Sequence, residues 1–299
     1  EPATDREDDQ AAAGLADVLG SIPRRPGAEI TVECNPDDVT EELLETYMAA
    51  GVNRVSIGVQ SMVPAVLAAL GRRHDPGNVR RAVAAVRAVG LPTFNLDVIY
   101  GAAGESLADW RITLEAILEL GPPHVSAYGL TVEPGTPLAD DPARHPDDDV
   151  QADEYELADE LLGAAGLANY EVSNWARPGH ECRHNLLYWG QHDYLGIGCA
   201  AHSHRAGRRW WNLRTPERYI AAVRDGRSTE AAGETLDAST RRVEALQLAL
   251  RTRDGVPLSA LDPDDVPGLV ERAGDRWVLT RHGRLMANEV AVRLRDTTS

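Results

Sequence analysis

Short apolar runs rich in β-branched residues alternate with amphipathic stretches over the first half of the chain. The runs have the length and composition of buried strands, and the stretches between them have the 3.6-residue repeat of helices. The predicted strands are Glu29–Cys34, Arg54–Gln60, Thr93–Tyr100, His124–Thr131 and Asn169–Ser173. The predicted helices between them are Thr40–Ala49, Val63–Leu70, Val79–Val89, Ser106–Leu120 and Asp149–Ala165. Strands that alternate with helices indicate βαβ units and a parallel sheet.

The number of these units favours a closed arrangement of strands. Five units with mostly short connections are more typical of a (β/α) barrel than of an open doubly wound sheet. The order starts with a helix, because Gln10–Leu19 has a helical pattern and no strand precedes it. We therefore predict an α/β fold, a partial (β/α) barrel of TIM type that lacks its first strand or strands, and we expect the chain to be truncated at its N-terminus.

Polar side chains lie at or near the C-terminal ends of four predicted strands. They are Glu33, Gln60, Asp97 and Thr131. In a barrel these strand ends share one rim, where active sites are built from the βα loops. Proximity to water would explain any one of them. Two carboxylates, an amide and a hydroxyl on separate strands predict a common cavity for a polar, hydrogen-bonding ligand.

The regular alternation stops after Ser173. Residues 174–206 are dense in His, Cys, Trp, Tyr and Gly, and a loop-rich segment follows. From Ala238 a new pattern predicts a small winged-helix-like domain. Its predicted elements are the helices Thr240–Leu250, Asp265–Ala273 and Gly283–Arg295 and the strand Asp275–Thr280. We divide the chain into a barrel (residues 1–206), a bridge (207–237) and a C-terminal domain (238–299).

Composition narrows the classes of partner and compartment. The formal net charge of −17 argues against nucleic acid as a partner, because phosphate contacts need a basic surface. The winged-helix-like domain is therefore assigned a structural or docking role. No apolar run is long enough for an integral membrane segment. The acidic N-terminus has no signal-peptide core, and three scattered cysteines are typical of a reducing cytoplasm.

Several motifs occur in order at spacings found in one protein family. Those of the predicted barrel are Glu33–Pro36 (ECNP), Arg54–Gln60 (RVSIGVQ), Leu70–His74 (LGRRH), Asn95–Gly101 (NLDVIYG) and Leu130–Pro134 (LTVEP). They are followed by Tyr170–Gly179 (YEVSNWARPG), His184–Trp189 (HNLLYW) and Gly196–His202 (GIGCAAH). Together they resemble the radical S-adenosylmethionine (SAM) proteins related to oxygen-independent coproporphyrinogen III oxidase. The HNxxYW motif resembles the haem chaperone branch of that family.

The resemblance implies a radical SAM barrel, and it implies roles for particular residues. Glu33, Gln60, Arg72, Asp97 and Thr131 match the family's SAM contacts. Those side chains suit the amine, carboxylate, hydroxyls and adenine edge of SAM, with Arg72 as a fork for the carboxylate.

The family also holds a 4Fe-4S cluster on a CxxxCxxC motif, next to a glycine-rich loop. Both are absent here, since Cys34, Cys182 and Cys199 are far apart in sequence. The cluster ligands are expected upstream of Glu1. Ala102 and Ala103 also replace the family's usual Leu-Pro.

The histidine- and cysteine-rich region allows three interpretations. It contains His180, Cys182, His184, His192, Cys199, His202 and His204. The first interpretation is a zinc site, although the one-residue gaps of Cys182-x-His184 and His202-x-His204 are unusual for structural zinc sites. Haem is another: on a helix His184 and Tyr188 share a face, and the resemblance points to His184, Asn185, Tyr188 and Trp189. The third interpretation is that these aromatic residues pack the junction between the barrel and the C-terminal domain.

The resemblance implies a haem chaperone that binds haem and passes it to an acceptor protein, with SAM and the cluster supporting that role. Coproporphyrinogen oxidation is the first alternative, and the HNxxYW motif argues against it. A degenerate barrel that acts only as a binding module is the second, because the cluster motif is missing from the sequence.

Overall fold

The computed structural model describes residues 14–296 of the chain. Two compact units are present, Glu1–Glu181 and Cys182–Ser299, here called the N-terminal and C-terminal units. The predicted helix Gln10–Leu19 lies partly outside the described residues, and residues 14–21 are helical (α1). No helix within 14–296 is both long and apolar enough to cross a bilayer.

The N-terminal unit is a six-stranded sheet with helices between its strands. The strands are β1 (Thr31–Cys34), β2 (Arg54–Gln60), β3 (Thr93–Tyr100), β4 (His124–Gly129), β5 (Ala168–Glu171) and β6 (Asn174–Ala176). The helices are α2 (Glu41–Ala49), α3 (Pro64–Ala69), α4 (Pro76–Ala88), α5 (Leu107–Glu119) and α6 (Asp148–Ala164), with a short 3-10 turn at Pro142–Arg144. Strands β1 to β4 are parallel and adjacent, as the alternating pattern predicted.

The prediction of one further parallel strand at Asn169–Ser173 is wrong. The chain turns back at Val172 and Ser173, so β5 and β6 form an antiparallel hairpin. Strand β6 then pairs antiparallel with β4, and the sheet order is β1-β2-β3-β4-β6-β5. The turn contains no glycine, proline or asparagine, so the usual sequence signal for a hairpin is missing.

Helix starts in this unit follow local capping chemistry. The hydroxyl of Thr40 accepts a hydrogen bond from the backbone N–H of Leu43 at the start of α2. Ser106 and Asp109 form a reciprocal capping box at the start of α5. These caps satisfy backbone N–H groups that have no partner inside the helix.

The parallel strands alternate between apolar and polar side chains over most of their length, and Ile99 near the end of β3 interrupts the pattern. Because successive residues point to opposite faces, each strand gives one face to each set. The apolar set is fully buried and includes Val55, Ile57, Val59, Leu96, Val98, Val125 and Ala127. The polar set is Arg54, Ser56, Asn95, Asp97, His124 and Ser126. We call the face that carries the polar set the polar face.

The C-terminal unit begins with a helix and a three-stranded antiparallel sheet. The elements are α7 (Arg183–Trp189), β7 (His202–Arg205), β8 (Arg208–Asn212), α8 (Pro216–Arg224) and β9 (Glu230–Thr235). The sheet order is β7-β8-β9. The predicted boundary between residues 206 and 207 falls inside the β7–β8 hairpin, and the predicted bridge supplies β8, α8 and β9.

The rest of the unit has its own buried apolar cluster. Its elements are α9 (Ala238–Leu250), β10 (Val256–Pro257), β11 (Val270–Ala273), β12 (Arg276–Leu279), α10 (Arg281–Leu285) and α11 (Ala287–Ala291), with 3-10 turns at Leu258–Ala260 and Pro263–Asp265. The cluster consists of Leu250, Val256, Ala260, Leu261, Val266, Val290 and Ala291. The second sheet has the order β10-β12-β11.

Two predicted helices of this region are corrected. The segment Asp265–Ala273 is not a helix, because Pro267 and Gly268 interrupt it and β11 pairs antiparallel with β12. Gly268 has a φ of 77°, a conformation that favours glycine. The predicted last helix is divided into α10 and α11 at Met286.

Candidate functional site

A cleft of about 260 Å³ opens near the C-terminal ends of β1, β2 and β3. It is lined by Glu33, Cys34, Asn35, Ser56, Gly58, Gln60, Arg72, His74 and Asp97. Four of the five residues predicted to contact SAM therefore lie together: Glu33, Gln60, Arg72 and Asp97. Thr131 is not among the lining residues. Its side chain is exposed, and its hydroxyl donates to the carbonyl of Gly129 at 3.4 Å.

Gln60 enters the cleft from an unusual backbone conformation. Its φ is 62°, in the left-handed region that non-glycine residues rarely adopt. The register between β2 and β3 shifts between Gly58 and Gln60, so the strand has a bulge there. A Cβ at Gly58 would lie 2.9 Å from Nε2 of Gln60. The missing side chain at Gly58 thus leaves room for the Gln60 amide.

Asp97 is the most constrained carboxylate of the cleft. Its Oδ2 accepts a hydrogen bond of 2.6 Å from the Ser56 hydroxyl, and its Oδ1 accepts one of 2.6 Å from Nδ2 of Asn95. Burial raises the pKa of Asp97 above its ordinary value, while hydrogen bonds from Ser56, Ser126 and Asn95 act in the opposite direction. These donors hold the carboxylate in one orientation at the wall of the cleft.

Sequence reasoning missed several lining residues. Ser56 and Gly58 lie inside the predicted strand β2, where alternation alone does not reveal a cleft. His74 is buried and donates from Nε2 to the carbonyl of Val59 at 2.9 Å. Its position at the end of the LGRRH motif was the available signal.

Cys34 also lines the cleft. Burial, followed by the negative charges of Asp38 and Glu33, raises its pKa to about 11. Its side chain is therefore a neutral thiol near pH 7, and a thiolate is the form that binds metal or attacks as a nucleophile.

A second group of candidate residues lies on helix α7 in the C-terminal unit. The rings of His184 and Tyr188 meet edge to face, with centroids 4.7 Å apart. Tyr188 also meets Tyr194 at 4.6 Å, and Tyr194 lies 6.0 Å from His204. The predicted shared face of His184 and Tyr188 is therefore confirmed. Asn185 and Trp189 are partly buried, and no residue of α7 is fully buried.

The other histidines of this region have structural contacts. His204 is buried, and its ring bonds the carbonyl of His192 and the backbone N–H of Gly207. His202 stacks on Trp211 with ring centroids 5.7 Å apart. Within 14–296, no group of three or more His, Cys, Asp or Glu side chains is arranged to hold a metal ion. The zinc interpretation therefore has no set of ligands in the part of the chain that the structure describes.

Comparison with known proteins first gives the class. The sequence profile of the radical SAM superfamily matches residues 1–117. Among solved structures, coproporphyrinogen III oxidase (HemN) from Escherichia coli, described as a radical SAM enzyme, matches with a TM-score of 0.80 at 21% identity. The match covers 94% of this chain and 74% of that chain. The fold is thus the α/β fold of a radical SAM protein.

Curated relatives then give the family. The chain is 45% identical over 278 residues to the heme chaperone HemW of Mycobacterium tuberculosis (strain H37Rv), covering 89% of this chain and 71% of the relative. It is 38% identical over 294 residues to the heme chaperone HemW of Escherichia coli, covering 92% and 77%. The heme chaperone HemW of Haemophilus influenzae is 32% identical over 292 residues. This chain belongs to the HemW family of heme chaperones.

Proposed function

We propose that this protein is a haem chaperone of the radical SAM class, which binds haem and delivers it to an acceptor protein. The observation that carries the proposal is the 38–45% identity to heme chaperones named HemW over about nine tenths of the chain. Identity to the E. coli coproporphyrinogen III oxidase is lower, at 21%. We therefore propose that the protein does not oxidise coproporphyrinogen.

The donor set of the cleft fits SAM. Arg72 supplies a planar fork for a carboxylate, while Glu33 and Asp97 accept hydrogen bonds from an amine or from hydroxyl groups. Gln60 offers both a donor and an acceptor, held in place by its strained backbone. When bound, SAM would supply radical chemistry, and the role of these residues is to bind and orient it.

The iron–sulfur cluster is not assigned to residues of this chain. The family motif needs three cysteines at CxxxCxxC spacing, and Cys34, Cys182 and Cys199 do not have that spacing. The proposal therefore concerns SAM contacts and haem contacts only.

For haem, we propose His184 as the residue that approaches the iron. Neutral imidazole is a common axial ligand, and Tyr188 and Trp189 give an aromatic wall that suits a flat macrocycle. The edge-to-face contact between His184 and Tyr188 supports this assignment, because it holds the imidazole on a partly exposed helix. Asn185 lies on the same short helix and is the fourth residue of the proposed haem site.

A haem titration of the full-length protein tests the function. His184→Ala is expected to weaken binding and to shift the Soret band, and the matched His202→Ala variant is expected to do less. If His184→Ala leaves both the titration and the spectrum unchanged, the ligand assignment is wrong. Coproporphyrinogen decarboxylation by the full-length protein would contradict the chaperone assignment.

The SAM contacts are tested by isothermal titration calorimetry with SAM. Arg72→Ala and Asp97→Asn are each expected to weaken binding by about tenfold or more, since hydrogen bonds to charged groups contribute about 1.5–3 kcal/mol. Arg73→Ala is the matched control, because Arg73 is the neighbouring residue and does not line the cleft. Thr131→Ala is expected to have a smaller effect than either cleft variant. Equal losses for Arg72→Ala and Arg73→Ala would remove Arg72 from the site.

A further inference from the structure

Behind Asp97, a chain of buried polar side chains crosses the polar face from strand to strand. Tyr170 lies on β5, His124 on β4, Asn95 on β3 and Ser56 on β2, and each is at most 8% exposed. The Tyr170 hydroxyl lies 2.8 Å from Nε2 of His124, and Nδ1 of His124 bonds Oδ1 of Asn95. This series of hydrogen bonds ends at Asp97, which Asn95 and Ser56 both contact at 2.6 Å.

Each hydrogen bond in this chain has a defined direction. Nδ2 of Asn95 lies within hydrogen-bond distance of three acceptors, Ser56 at 2.6 Å, Asp97 at 2.6 Å and Ser126 at 2.8 Å, and its two N–H groups are shared among them. Oδ1 of Asn95 therefore faces His124. A carbonyl oxygen only accepts, and Nδ1 of His124 therefore carries the proton. Burial, followed by the charges of Arg54 and His180, holds the pKa of His124 well below its ordinary value. The ring is neutral, and its Nε2 accepts from the hydroxyl of Tyr170.

The orientation of one amide follows from these directions. If the Asn95 amide were reversed, its oxygen would face the carboxylate of Asp97, and two acceptors would repel each other. The acceptor-only carboxylate of Asp97 therefore fixes the amide with Nδ2 towards it, and Oδ1 of Asn95 in turn fixes the proton of His124 on Nδ1. The Tyr170 hydroxyl can donate or accept, and with the proton on Nδ1 it donates to Nε2. The Nδ1–H of the buried ring thus supports the amide orientation that turns a donor towards the cleft carboxylate.

We propose that Asn95, His124 and Tyr170 are positioning residues that hold Asp97 as an oriented, ionised hydrogen-bond acceptor for SAM. The inference rests on the proposed function, since it takes SAM as the ligand of the cleft. None of the three residues lines the cleft, and all act through Asp97. The fixed donors behind the carboxylate leave its outer lone pairs directed to the ligand. Because the carboxylate is already oriented, it loses little conformational entropy when SAM binds.

The charged neighbours determine how the test must be read. The charge of Glu33 on β1 contributes to the raised pKa of Asp97, and the charge of Asp97 contributes to the raised pKa of Tyr128 on β4. Arg54 on β2 and His180 act on His124. Arg72 and His74 share the cleft with Asp97. Because these groups are present in every variant, the informative quantity is the change in pH midpoint between the wild type and a variant.

The first measurement is the affinity of the full-length protein for SAM as a function of pH. His124→Phe and the milder Tyr170→Phe are expected to weaken SAM binding, His124→Phe by about tenfold, and to move the pH midpoint of binding upwards. The reason is that losing an oriented donor disfavours the ionised form of Asp97. In the Asp97→Asn background the same substitutions should reduce the affinity for SAM little further, since the residues act through that carboxylate. Tyr155→Phe on α6 is the control, because it removes another buried tyrosine hydroxyl outside this chain of contacts.

The second measurement needs no SAM. A ¹³C NMR titration of the aspartate carboxyl carbons, with the Asp97 signal assigned from Asp97→Asn, reads the ionisation of Asp97 directly. Tyr170→Phe is expected to raise its midpoint, and Tyr155→Phe is expected to leave it unchanged. An unchanged midpoint in Tyr170→Phe and His124→Phe, or an undiminished loss of SAM affinity in the Asp97→Asn background, overturns the positioning role. If the ionisation midpoint of Asp97 moves in the variants but the wild type does not bind SAM, the proposed SAM site is wrong. The influence of Asn95, His124 and Tyr170 on Asp97 then still stands.

Discussion

The indole nitrogen of Trp110 on α5 donates a hydrogen bond of 2.8 Å to the backbone carbonyl of Glu154 on α6. Both residues are fully buried, and the ring of Tyr100 lies 5.4 Å from that of Trp110. The carboxylate of Glu154 is buried, close to the carboxylate of Glu105 and to the backbone N–H of Gly101. Burial, with a contribution from the charge of Glu105, raises the pKa of Glu154 to about 8. Burial also raises the pKa of Glu105 to about 7.

These raised pKa values predict a loss of stability at alkaline pH. A carboxyl group whose pKa is raised on folding favours the folded state below its unfolded pKa, and this contribution is lost as the pH rises through the folded pKa. The free energy of unfolding should therefore fall between about pH 4.5 and pH 8. Glu154→Gln should raise the melting temperature at pH 8 and have little effect at pH 5, as measured by thermal denaturation. Glu156→Gln, an exposed neighbour on α6, should show no such pH dependence.

Helix α5 offers a matched pair for testing its buried face. Leu114 is 0% exposed and Ile112 is 52% exposed. Leu114→Ala should lower the free energy of unfolding by about 2–5 kcal/mol, because it leaves a cavity in a closely packed core. Ile112→Ala should change it by roughly 0.5 kcal/mol or less. Urea denaturation measures both, and similar losses for the two variants would contradict the assigned face.

The positive φ of Gln60 predicts a separation of stability from binding. Gln60→Gly and Gln60→Ala both remove the amide from the cleft, so both should weaken SAM binding. Only glycine relieves the backbone strain, and Gln60→Gly should be more stable than Gln60→Ala by about 1 kcal/mol. Chemical denaturation of the two variants gives this difference directly. A more stable alanine variant would mean that the backbone at this position is not strained.

Ion pairs predict weak or no DNA binding by the C-terminal unit. Arg209 pairs with Glu234 at 2.8 Å and with Glu244 at 3.2 Å, and Arg242 pairs with Asp296 at 2.6 Å. These arginines are partly neutralised by neighbouring carboxylates, and the whole chain has a formal charge of −17. Fluorescence anisotropy with duplex DNA should detect no salt-dependent binding of the full chain at micromolar concentration. Binding that weakens steeply with added salt would contradict this expectation.

Hydrophobic patterning predicts the four parallel strands well, because a buried strand needs an uninterrupted apolar face. The β5–β6 hairpin escapes prediction because its turn at Val172 and Ser173 uses residues that are also common in strands. The cleft residues Glu33, Gln60 and Asp97 are predictable from strand ends, whereas Arg72 needs the family resemblance. The contacts of Asn95 and His124 are not predictable from pattern, since they depend on the register between β3 and β4.

The alternation of the parallel strands separates two kinds of mutational tolerance. Residues such as Val55 and Leu96 are fully buried on the apolar face, where a change of volume alters the stability of the fold. Their immediate neighbours Ser56 and Asn95 lie on the polar face, where a change alters hydrogen bonding around Asp97. Evolution can therefore modify the ligand chemistry of this scaffold at every second position without repacking its core. A one-residue insertion within a strand would exchange the two faces and remove both properties at once.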